Sequence, residues 1–246
     1  MIDIESVDGI AVARLNHGKV NAMDLEFCQE IAKVLPSLAG ERAVVLTGAG
    51  RAFSAGVDLK RIVDGGASYV AEFLPALSDA FQAVFELPNP VVAAVNGHAI
   101  AGGCVLASAA DHRVMSGGTI GIPEIFVGVA FPSSPYEIMN WAIGPVAARR
   151  AILTGALHDP GSALAHGLVD ETTAPEDLLD KALAKAVALA EIAPDVFAFT
   201  KRQVRADAQA RITAARATGE PAALALWTAA ATDGRLRAYM ERTMRR

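Results

Sequence analysis

The stretch Val91-Val92-Ala93-Ala94-Val95-Asn96-Gly97-His98-Ala99-Ile100-Ala101-Gly102-Gly103-Cys104 decides the fold. Its first five residues form an unbroken apolar run, of the length of a buried strand and too short for a core helix. Asn96-Gly97 ends that run with a turn signal. Ala101-Gly102-Gly103 then opens a helix of small residues through Ala110. The same order of apolar strand, glycine-bearing loop and helix occurs upstream. There Ala43 to Thr47 runs into Gly48-Ala49-Gly50, and a helical stretch from Tyr69 to Leu87 stops at Pro88 and Pro90. Alternation of this kind selects an α/β fold over a sandwich.

Outward from this centre, Ile2 to Leu15 holds two β-like runs joined by Asp8-Gly9, a strong hairpin signal. Leu25, Cys28, Ile31, Ala32 and Leu35 recur at helical spacing behind Asp24, a capping residue type. His112 to Met115 and Thr119 to Ile122 predict two more short strands around Gly117-Gly118. From Val146 onward the pattern is mainly helical. The last helix, Pro221 to Arg246, carries AALALWTAAA, apolar on most sides, and so must bury itself against its own core or a neighbouring subunit. No linker composition interrupts the chain before about residue 191. Residues 1–190 are therefore expected to form one core and 191–246 a helical C-terminal region.

The chain has 246 residues, 52% of them hydrophobic, and a mean hydropathy of +0.33, which excludes disorder as the dominant state. Twenty-two basic against 27 acidic residues leave a net charge of −5, without the basic excess of a nucleic-acid binder. Two cysteines, Cys28 and Cys104, cannot build a disulfide framework and fit a reducing compartment. The opening MIDIESVDGIAVARL lacks the basic and apolar regions of a secretory signal, and no apolar run has the length of a membrane span. A cytoplasmic location without membrane partners is expected.

Several familiar chemistries have no anchor here. There is no GxxxxGK[ST] phosphate loop and no GxGxxG fingerprint. Ala52-Phe53-Ser54-Ala55-Gly56 misses a nucleophile elbow by its first glycine. The histidines at 17, 98, 112, 158 and 166 show no metal-ligand spacing, so no metal is expected, and Cys104 sits among small apolar residues as a packed hydrophobe.

Three segments remain: Ala52-Phe53-Ser54-Ala55-Gly56-Val57-Asp58-Leu59-Lys60, then Asn96 to Cys104, then Gly121-Ile122-Pro123-Glu124 with Gly128 following. In this order and spacing they resemble the crotonase family, the enoyl-CoA hydratases and isomerases. The resemblance covers nearly the whole chain, including LNHGKVNAMD near its start and LTGALHDPGSALAHGLVDE later. It implies a spiral of repeated ββα units with a C-terminal helical region, and a coenzyme A thioester as substrate with no permanently bound cofactor. It also implies a homotrimer or a hexamer built as a dimer of trimers. The N–H groups of Val57 and Gly102 would form an oxyanion hole. Lys19, Ser54, Ala55, Asp58 and Lys60 would lie along the CoA groove, with backbone contacts from Ser54 and Ala55. Glu124 would be the acid–base. Its apolar neighbours Ile122, Ile125, Phe126 and Val127 disfavour the charged form and raise its basicity.

The family's hydratases carry a second glutamate directly after Gly-Gly-Cys, where this chain has Val105. Valine neither accepts nor delivers a proton, so hydration is disfavoured. Moving a double bond from β,γ to α,β needs one base, and AGGCVLASAADHRVM followed by IGIPEIFVGVAFP looks like the mitochondrial-type Δ3,Δ2-enoyl-CoA isomerases. The alternatives are hydratase-like, hydrolytic or decarboxylating crotonase chemistry, or a non-catalytic acyl-CoA binding protein. Phe73, Leu74, Leu77, Phe126, Phe131, Pro132 and Trp141 are candidates for an acyl-tail pocket.

Overall fold

A computed structural model describes residues 1–244. Strands β1 (Ile2–Val7) and β2 (Ile10–Leu15) form an antiparallel hairpin that pairs Ile2 with Leu15. Its turn residues Asp8 and Gly9 have φ of 52° and 76°, the twist that a two-residue hairpin requires. Parallel strands follow: β3 (Val44–Gly48), β5 (Val91–Val95), β7 (His112–Met115) and β10 (Glu171–Thr172), giving a six-stranded sheet in the order β1-β2-β3-β5-β7-β10. A second sheet contains β4 (Ala52–Ser54), β6 (His98–Ile100), β8 (Ile120–Gly121) and β9 (Leu157–His158).

The two sheets are filled in alternation. β3 and β4, β5 and β6, and β7 and β8 each place one strand in either sheet before a helix: α2 (Leu59–Phe85), α3 (Gly102–Ser108) and α4 (Glu124–Val127) respectively. The hairpin followed by α1 (Leu25–Ser37) precedes them as a ββα unit whose two strands both lie in the six-stranded sheet. This is the repeated ββα spiral. Every residue of β3 and β5 is buried because both faces of the large sheet are covered. Val44, Leu46, Val91, Ala93 and Val95 enter the main core with α1 and α2. Val45, Val92, Ala94 and Val114 meet Leu178, Ala182 and Ala186 of α7 (Leu178–Ala190).

Helix α2 begins at Leu59 rather than at Tyr69, and it kinks at Gly66 (φ 61°, ψ −150°). The Gly65-Gly66 pair therefore marks a break within the helix, not its start. Helix α3 ends at Ser108, short of Ala110. Helix α5 (Ser133–Thr154) kinks at Gly144, and α6 (Pro160–Ala165) is capped by Asp159. Helix α8 (Pro194–Ala217) is pinned from below: Lys201 Nζ lies 2.7 Å and Arg205 Nη2 2.6 Å from the two carboxylate oxygens of Asp111. The Arg205 guanidinium packs over the Phe85 and Trp141 rings at 4.3 and 4.2 Å from their centroids.

The expected single helix from Pro221 to Arg246 is two. α9 (Pro221–Thr232) and α10 (Arg235–Met244) are separated at Asp233-Gly234, where Gly234 takes φ 87°; Arg245 and Arg246 lie outside the described residues. The apolar side of α9 is met within its own chain, with Trp227, Ala230 and Ala231 buried and the helix packed on α2. Among the described residues no helix is long and apolar enough to cross a membrane.

Candidate active site

The loop before α2 is seated by backbone pairing. Met23 N–H donates to Gly56 O (2.8 Å) and Asp58 N–H donates to Met23 O (3.0 Å). Val57 stands between these two bonds, and its own N–H has no protein acceptor among the described residues. Asn21 laces the preceding strand from the other side. Its amide donates to Ala52 O and Phe53 O at 3.0 and 3.1 Å, and its carbonyl accepts the Ser54 hydroxyl at 2.7 Å.

The second loop closes on the first. Gly56, at φ 83°, approaches so nearly that a Cβ there would lie 2.6 Å from Ile100 O and 3.3 Å from the Gly102 nitrogen. Ala101 holds φ 55°, ψ −123°, a strained conformation for a residue with a Cβ. Its amide donates to Gly121 O at 2.8 Å. Gly102 follows as the first residue of α3, so its N–H is one that the helix leaves over, and it too has no protein acceptor among the described residues. The two loops thus bring a pair of unspent N–H donors to one place.

That place is a cleft lined mostly by apolar side chains, Val105 and Phe131 among them. Val57, Gly102 and Glu124 all line it, and Glu124 is its only carboxylate among the described residues. Glu124 starts the single turn α4, which Gly128 ends in a left-handed conformation. The residue is only partly exposed, and its Oε2 is sealed from solvent with no hydrogen-bond partner. Burial pushes its pKa up to about 8. The apolar surroundings differ from the expected ones. Ile122 and Val127 are buried, but Ile125 and Phe126 turn outward, 47% and 62% exposed, so the cleft wall, Pro123 and Val127 included, desolvates the carboxyl and the two residues directly after it do not.

Val105 is fully buried at the position of the family hydratases' second glutamate and faces this cleft. Cys104 beside it is buried as well, its thiol pushed up to about 12 by burial. Among the described residues no group of three histidine, cysteine or acidic side chains could hold a metal ion.

The expected CoA-groove residues separate. Ala55 is exposed and lines the cleft, whereas Ser54 is fully buried with its hydroxyl committed to Asn21. Asp58 caps α2 by accepting the Arg61 N–H at 3.1 Å. Lys60 is exposed and bonded to Asp64 at 2.6 Å. Lys19 is exposed and precedes Val20, whose carbonyl accepts the Ala55 N–H. Of the seven acyl-tail candidates, Leu77, Phe131 and Pro132 line the cleft. Leu74 and Pro132 line a neighbouring cleft between α2 and the α8–α9 turn. Phe73 is core, Phe126 covers Gly155 on the surface, and Trp141 is stacked on Arg205. Trp227 and Tyr239, from the C-terminal helices, also line the cleft and were not anticipated. Only the apolar character of the last helix hinted at Trp227.

Comparison with known proteins identifies the family. The family described as Enoyl-CoA hydratase/isomerase matches residues 5–244. The rat protein named Enoyl-CoA delta isomerase 1, mitochondrial, is 34% identical over 184 residues, 72% of this chain but only 63% of the relative's length. The solved structure of the human mitochondrial Δ3,Δ2-enoyl-CoA isomerase superposes with a TM-score of 0.90 at 26% identity, covering 99% of this chain and 98% of that one. An enoyl-CoA hydratase structure from Mycobacterium ulcerans gives 0.82 at 30% identity, covering 87% and 95%. The chain belongs to the enoyl-CoA hydratase/isomerase family.

Proposed function

We propose that this chain is a Δ3,Δ2-enoyl-CoA isomerase in which Glu124 is the sole proton shuttle. The observation that carries this reading is the pairing of one unpartnered, desolvated carboxylate with Val105 in a single cleft. The Glu124 carboxylate takes a proton from C2 of a 3-enoyl thioester. The electron pair of that C–H bond spreads over the double bond and the thioester carbonyl as a dienolate. The N–H groups of Val57 and Gly102 hold the developing oxyanion, where one such donor is worth about 3–4 kcal/mol. Glu124 returns the proton at C4, and the double bond comes to lie between C2 and C3. A dry site and a carboxyl tuned near neutrality suit both halves of this transfer.

The thioester's CoA portion runs past Ala55, with Lys19 and Lys60 meeting its phosphates and Asp58 shaping the loop as the α2 cap. Residues 1–190 supply the catalytic spiral, and the region from residue 191 onward contributes the covering helices α8, α9 and α10. The exposed apolar side chains Ile125, Phe126, Leu153 and Leu157 support assembly into a trimer, alone or paired. Incubation of the purified protein with 3-enoyl-CoA tests the reaction by formation of 2-enoyl-CoA. No turnover, or undiminished turnover in Glu124→Gln, sinks the assignment. Release of free CoA, loss of CO2 or appearance of a 3-hydroxyacyl product identifies the other crotonase chemistries, and tight binding without product identifies a carrier.

A further inference from the structure

The segment Gly128 to Pro132 belongs to no strand or helix and joins α4 to Ser133, the first residue of α5. Its residues Val129, Ala130, Phe131 and Pro132 form one wall of the cleft directly after the turn that carries Glu124. At its start, Gly128 and Val129 donate back to Glu124 O at 3.0 and 3.3 Å, so the position of this strap and that of Glu124 are linked. The rest of its backbone is held by side chains from far along the chain. Glu220, at φ 44° in the α8–α9 turn, accepts the Ser133 N–H at 2.8 Å and so caps α5, which has no cap of its own. The indole N–H of Trp227 donates to Ala130 O at 2.9 Å. Arg235 Nη1 donates to Gly128 O at 3.3 Å, and the Arg235 stem lies so close that a Cβ on Gly128 would be 3.0 Å from its Cδ.

We propose that Glu220, Trp227 and Arg235 are positioning residues that act through this strap, holding the cleft wall closed over the Glu124 carboxyl. The reasoning is one of compliance. A chain segment with few bonds of its own takes up many conformations unless other groups over-determine it. Three grips spaced along six residues leave the wall little freedom, and the same grips exclude water from the carboxyl's side of the cleft. Loosening any of them admits water and misplaces the base. The other titratable groups beside Glu124 are the Cys104 thiol of α3 and Tyr239 of α10. Arg235 lies at the far end of the α4 turn, already paired with Asp233.

This rests on Glu124 being the proton shuttle, so the test has one readout that needs turnover and one that does not. Glu220→Ala removes the cap on α5. Glu220→Gln removes the charge and keeps the acceptor. Trp227→Phe removes the donor to Ala130 and keeps a ring. In Glu220→Ala and Trp227→Phe, kcat on 3-enoyl-CoA is expected to fall about tenfold or more. The pH midpoint of turnover should move down by about one unit or more as water reaches the carboxyl, while Glu220→Gln stays near wild type in both. Without substrate, ¹³C NMR of glutamate-labelled protein reads the Glu124 carboxyl titration directly, its signal assigned by loss in Glu124→Gln. The same downward shift is expected there in Glu220→Ala. A wild-type titration in folded Glu220→Ala and Trp227→Phe overturns the proposal, as does a shift in Glu220→Gln equal to that in Glu220→Ala, which would make charge the cause. An inactive wild type with the expected NMR shifts would refute only the isomerase reading.

Discussion

The amide of Ala101 donates to the carbonyl of Gly121 at 2.8 Å. The residue that presents the Gly102 N–H is thereby fastened to the strand end from which Glu124 departs. The proposed oxyanion donor and the proposed base are two ends of one short tether, built where β6 and β8 pair.

Gly56 lies beneath both donor loops. Gly56→Ala would place a methyl 2.6 Å from Ile100 O at a φ of 83°, forcing the loops apart. Turnover is expected to fall about 10²–10³-fold, the scale of losing one oxyanion donor. Steady-state kinetics alongside a circular-dichroism check of folding measure it.

With its carboxyl held near 8, Glu124 can act as the proposed base only when deprotonated, so the rate should climb as pH rises and reach half its plateau near that value. Glu124→Gln should lose about 10²–10⁴-fold and flatten the profile. The raised carboxyl also weakens the folded state. Its stabilising protonated form is fully present below the unfolded value of 4.5, and its benefit is lost as pH rises through about 8. Thermal melts should therefore show Glu124→Gln gaining on wild type across that window.

Val105→Glu would put a second carboxyl into a fully buried position of the cleft. Without a partner for its charge, it should cost roughly 2 kcal/mol or more in stability, measured by urea unfolding. Its product spectrum is the sharper readout. Wild type should add no water to 2-enoyl-CoA, and any hydration in the variant would show that the missing glutamate separates the two reactions.

Asp111 neutralises two cations that are almost wholly buried, Lys201 at 6% and Arg205 at 3% exposure. Asp111→Ala strands both and should destabilise the fold by about 3–5 kcal/mol, read from the urea midpoint. Catalysis in the surviving folded fraction should be close to normal, because none of the three lines the cleft.

Lys60 is exposed and bound to Asp64, a surface pair worth little by itself. If it meets a CoA phosphate, Lys60→Ala should raise KM about twofold to fivefold, and the difference should shrink in high salt. An unchanged KM at low ionic strength removes Lys60 from the groove.

The core strands were legible because a run such as Val91–Val95 has few uses besides a sheet covered on both sides. Glu124 was legible as a charged residue isolated in an apolar stretch within a recognisable order of loops. What hid from the sequence was contact made at long range. Glu220, Trp227 and Tyr239 reach the cleft region from the C-terminal helices, and no local periodicity records that. Phe126 misled for a different reason. A four-residue turn ended by left-handed Gly128 rotates positions 125 and 126 outward, so hydrophobicity alone could not place them. Gly65-Gly66 and Asp233-Gly234 show the same glycine signal with different outcomes, a kink inside one helix and a division between two.

The order of synthesis gives the strap one more meaning. Ser133 leaves the ribosome 87 residues ahead of Glu220, Ala130 emerges 97 ahead of Trp227, and Gly128 emerges 107 ahead of Arg235. A nascent chain can therefore assemble its sheets and both donor loops while the wall beside its base is still unsecured. On the proposed reading, competence arrives with the last-translated grips, which also bring Trp227, Ala230 and Leu236 into the core.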